Sequence, residues 1–62
     1  MNPERPEFLL VYFRPDNREP ETYSDTPVTL RAALEAQRQA EYEEPALRGR
    51  MGIFCTAIAR YV

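Results

Sequence analysis

A small α+β domain, three antiparallel strands with one helix across one face of the sheet, is the fold class predicted by three stretches of this 62-residue sequence. Phe8 to Phe13 is an unbroken apolar and aromatic run of strand length. Leu30, Ala33, Leu34, Gln37, Ala40 and Glu41 recur at helical spacing. Met51 to Val62 alternates two partly apolar faces. Strand, strand, helix, strand with short connections sets the third strand antiparallel to the first, in the spatial order 2-1-3.

Residues 1–6 hold two prolines and two charged residues with nothing to bury, which predicts an extended, mobile N-terminal arm ahead of a single domain at 7–62. The first strand lies between Glu7 and Arg14 and is apolar on both faces, as a central strand is. Pro15, Asp16 and Asn17 then combine a preset φ, a self-capping side chain and tolerance of left-handed geometry, so the chain turns back there. The return strand, Arg18 to Ser24, contains Pro20, which has no amide donor, and belongs at an edge.

Two start signals precede the helix: Thr26 as cap with Pro27 first, or Thr29 as cap with Leu30 first. Leu30 and Leu34 are its expected anchors. The rest of the stripe is alanine or polar, which brings the helix close to the sheet. Pro45 ends it, Gly49 turns the chain, and the last strand runs from Met51 to Val62. In that strand Ile53, Cys55, Ala57, Ala59 and Tyr61 share one face, and Phe54, Thr56, Ile58, Arg60 and Val62 the other.

A chain this short sustains one thin core, which natural proteins of the size supplement with disulfides, a metal or a second subunit. Cys55 is the sole cysteine and histidine is absent, so no disulfide and no Cys/His metal site forms within one chain. Association is the remaining route. No cofactor is expected. Ten acidic residues against eight basic ones leave a net charge of −2, and nucleic acid is not the default partner. All eight basic residues are arginine. The longest apolar run is too short to serve as an export signal or to span a bilayer, and with an unpaired thiol it points to the cytoplasm.

Catalysis is not expected. Cys55 lacks a histidine base, Gly49 and Gly52 form no phosphate loop, and the chain is too small to wall off a dry cleft for a small-molecule substrate around paired carboxylates. The sheet face away from the helix is the first candidate contact surface, with Tyr12, Phe54 and Tyr61 as anchors and Tyr23 on the edge strand. Glu41, Glu43 and Glu44 form the second, at the helix end where the macrodipole disfavours negative charge. Pairing with Arg48 and Arg50 is the ordinary way to offset them; docking on a basic groove of a partner is the other. Arg14, Arg18, Arg48, Arg50 and Arg60, interleaved with tyrosine and phenylalanine, are what a weak single-strand nucleic-acid binder would use.

These observations predict a non-catalytic protein-binding module whose partner is a host complex or an identical subunit. In size, acidity and layout the chain is similar to small phage-encoded inhibitors of host machines, such as anti-CRISPR proteins and phage inhibitors of host RNA polymerase. That resemblance is architectural and assigns no residue. The competing reading is a small homodimerisation domain of a bacterial protein, in which two uncovered faces pack together.

Overall fold

The computed structural model describes residues 2–16 and 18–62, so Asn17 of the expected turn lies outside the described residues. Its elements are β1 (Phe8–Tyr12), β2 (Glu21–Thr22), α1 (Leu30–Glu43), a 3₁₀ turn at Pro45–Leu47, β3 (Met51–Cys55) and β4 (Arg60–Tyr61). The sheet is antiparallel in the order β2-β1-β3-β4. The expected 2-1-3 arrangement is therefore present, with a fourth strand added at the β3 edge.

That fourth strand corrects the single strand expected from Met51 to Val62. β3 stops at Cys55 because its partner turns away: the Thr56 amide donates to the Glu7 carbonyl at 2.7 Å, but the Glu7 amide that would return the bond donates to the Arg5 carbonyl at 2.8 Å. The chain turns through Thr56–Ala59 and pairs back, Phe54 with Tyr61 and Cys55 with Arg60. Four residues without Gly, Pro, Asn or Asp carry no turn signal, and Ala59 meets the geometry with φ +53°. The return also reverses faces. Tyr61 lies beside Phe54, and Arg60 opposite Cys55.

On β1 and β3 the pairs Phe8 with Cys55 and Leu10 with Ile53 face the helix, and with Ala33 they form the core. Leu9 with Phe54 and Val11 with Gly52 face the other way. The helix meets the sheet through a small residue, Ala33, with Ala40 buried farther along it, while Leu30 packs at the margin of the core. Leu34, the other expected anchor, is 48% exposed. The reason is complementary volume: the sheet face already presents Phe8, Leu10 and Ile53, so close packing calls for alanine opposite them and turns Leu34 outward.

Backbone pairing decides the helix start. Val28 and Phe8 exchange two hydrogen bonds, of 2.9 and 2.8 Å, which hold Val28 extended and prevent a helix from beginning at Pro27. Thr29 is the cap, its side chain accepting from the Ala32 amide at 3.2 Å. Residues 2–6 hold hydrogen-bonded turns in place of an extended course, and the Pro3 carbonyl accepts from the Leu30 amide at 3.0 Å. One of the helix's unpaired first-turn donors is thereby satisfied. β2 spans only Glu21–Thr22, beginning immediately after Pro20, and lies at the edge as that proline requires.

Candidate functional site

Five of the seven aromatic side chains lie in ring-to-ring contacts at the sheet. Strand alternation places Phe13 on the helix-free side, and its ring lies 5.9 Å from that of Tyr61, which in turn stands edge-on to Phe54 at 5.2 Å. Gly52 makes this cluster fit. A Cβ there would be in ordinary van der Waals contact with the Phe13 ring at 3.4 Å and the Tyr61 ring at 3.6 Å, so nothing larger than a methyl group fits beneath the two rings. The helix-free face is consequently less open than expected: Val11 is buried, Leu9 and Phe54 are half-buried, and the chain's own C-terminal strand shields Gly52. Ring surface stays in solvent at Phe13 and at Tyr61, the latter 51% exposed, with Ile58 exposed in the adjoining turn.

Tyr12 does not belong to that face. It shares the helix-side parity of Phe8 and Leu10, beyond the region the helix covers, and stands 6.4 Å from Tyr23 at 85°. Its hydroxyl donates to Glu21 across the β1–β2 pair, and Arg14 Nη2 donates to that hydroxyl at 3.2 Å. Arg14 Nε also lies 3.3 Å from Glu21 Oε2, and its guanidinium carbon is 5.6 Å from the Tyr12 ring centre. The Tyr12 hydroxyl, and next the Glu21 carboxylate, raise the Arg14 pKa above the ordinary guanidinium value.

Tyr12, Tyr23 and Glu44 thus come together, with Arg14, Thr22 and Leu47, around a groove of about 400 Å³ between β2 and the carboxyl end of α1. A second, more apolar groove shares Tyr12, Arg14 and Leu47 and adds Phe13, Pro15, Ala46 and Arg50. The two grooves join the tyrosine pair to the Phe13–Tyr61–Phe54 cluster around the end of the sheet. From sequence, Tyr12 is expected on one face with Phe54 and Tyr61, whereas strand parity points Tyr12 and Phe13 to opposite faces; the shared lining exists because β1 ends there.

Glu41 is half-buried and Glu43, exposed, accepts from Gln39 Nε2 at 2.9 Å. The expected offset by Arg48 and Arg50 is not formed: among the described residues the ion pairs are Arg5–Glu7, Arg14–Glu21 and Arg31–Glu35. Of the arginines grouped for single-strand binding, Arg14 and Arg50 share a groove, whereas Arg60 lies at the β4 edge. Among the described residues no three His, Cys, Asp or Glu side chains gather where they could hold a metal ion, and no helix is long and apolar enough to cross a membrane. Compared with protein-family models, with curated proteins and with solved structures, the chain matches none.

Proposed function

We propose that this chain is a non-catalytic protein-binding module whose contact surface is the aromatic belt running from Tyr23 and Tyr12 around the end of the sheet to Phe13, Tyr61 and Phe54. The observation that carries the reading is the solvent-exposed ring surface of Phe13, Tyr61 and Tyr23 on a chain with so small a core. Rigid aromatic side chains supply large contact area at low entropic cost, which is why they anchor interfaces. The accessible surface supports it: 4700 Å² for 7.3 kDa, where monomeric proteins of that mass expose roughly 4,200 Å². In its sharper form the module is an inhibitor that occludes a larger partner in the cytoplasm, in the manner of the phage-encoded proteins it is similar to in layout.

Affinity capture on the immobilised full chain, run beside Phe13→Glu and Tyr61→Glu, tests this. A protein retained by the wild type and lost from both variants is the expected result. Equal retention by all three would remove the aromatic belt as the contact surface. Light scattering that shows a tight dimer broken by the same substitutions would replace the reading with self-association.

A further inference from the structure

We propose that the groove between β2 and the carboxyl end of α1 receives an arginine side chain from the bound protein, its guanidinium stacked on Tyr23 and paired with Glu44. This rests on the reading of the chain as a protein-binding module and names the chemistry of one contact. The molecule contains the template. On one wall of the groove Arg14 lies over the Tyr12 ring at 5.6 Å while its Nε meets the Glu21 carboxylate at 3.3 Å. On the same groove Tyr23 and Glu44 offer a second ring and a second carboxylate, and among the described residues no arginine is paired with Glu44 or seated over the Tyr23 ring.

The surroundings favour a cation there. Glu44 caps α1, whose last turn has no basic residue, so the partial negative charge of the helix end adds to that of the carboxylate. The Glu44 carboxylate has no hydrogen-bond or ion-pair partner among the described residues. Among the described lining residues Arg14 carries the one positive charge, and its pairing with Glu21 leaves Glu44 as the uncompensated group. Tyr23 stands at 85° to Tyr12, so the two rings make a corner, and Leu47 closes part of the lining with apolar surface. A planar, forked guanidinium matches a ring face and a carboxylate at once, whereas a lysine ammonium meets them only as a point charge.

The test is an NMR titration of the ¹⁵N-labelled full chain with a short glycine-serine peptide carrying one arginine, against the same peptide carrying citrulline, which keeps the shape and loses the charge. Saturable shifts confined to Thr22, Tyr23, Glu44 and Leu47 are expected with arginine, and binding about tenfold weaker with citrulline. Glu44→Gln and Tyr23→Leu should each weaken the arginine peptide by a similar factor and Glu43→Gln should not; the spectra of the free variants report that they are folded. Equal response to both peptides, indifference to Glu44→Gln, or the same shifts produced by inorganic phosphate would overturn the proposal. Loss of the peptide response with capture through Phe13 and Tyr61 intact removes the groove alone; lost capture with the peptide response intact removes the aromatic cluster and leaves the groove standing.

Discussion

The Tyr61 ring lies over the α-carbon of Gly52, close enough that a methyl group added there would touch it at 3.6 Å. The relationship ties the last strand to the middle of the sheet and makes a small residue at position 52 the seat of the aromatic cluster. A methyl group at these distances is in ordinary van der Waals contact, while anything larger must lift the rings. Gly52→Ala is therefore expected to stabilise the fold by ~0.5 kcal/mol through the unfolded chain, and Gly52→Val to destabilise it by roughly 1–2 kcal/mol. Thermal unfolding checks the signs, and the near-ultraviolet circular dichroism of the rings should change only for valine.

Ala59 has φ +53°, a left-handed conformation that an L side chain resists by about 1–2 kcal/mol. Ala59→Gly removes that strain and gives back part of the gain in unfolded-state entropy. A net stabilisation of about 0.5–1 kcal/mol is expected, seen as a thermal midpoint raised by several degrees. A lower midpoint would show that the chain does not turn at 56–59.

Leu10 and Leu34 contrast a core residue with an expected helix anchor that faces solvent. Leu10 is buried against Ala33 and Ile53, and Leu10→Ala is expected to remove about 2–5 kcal/mol, as much as a core of this size supplies, so the variant should show no cooperative unfolding transition. Leu34→Ala, at an exposed position, should change stability by no more than ~0.5 kcal/mol.

Thr29 and Thr26 separate the two helix starts. Thr29→Ala removes the acceptor for the Ala32 amide and is expected to lower stability by ~1 kcal/mol, whereas Thr26→Ala should have little effect. Chemical denaturation of the two variants side by side gives the comparison.

The elements that were legible in the sequence are those set by short-range chemistry. Phe8 to Phe13 reads as a central strand because residues apolar on both faces need cover on both, and Pro20 reads as an edge because it lacks a donor. Tyr12, Tyr23 and Glu44 were each identifiable as interaction-prone residues, but their meeting in one groove was not, since they belong to three different segments. Gly52 was missed as part of the site altogether. Its only signal was a glycine inside a strand pattern, which marks a close approach without saying of what.

Local residue chemistry by itself determined that this protein is a thin-cored α+β domain, with its first strand central and its second at an edge, because turn residues, caps and periodicity act over a few positions. Only the tertiary structure decided the fourth strand, the outward turn of Leu34 and the start of the helix at Leu30. Each of these depends on a distant backbone or a facing side chain: β3 ends where the Glu7 amide turns to Arg5 and leaves Thr56 only half paired, alanine faces a sheet already filled by phenylalanine and leucine, and Val28 is held extended by Phe8.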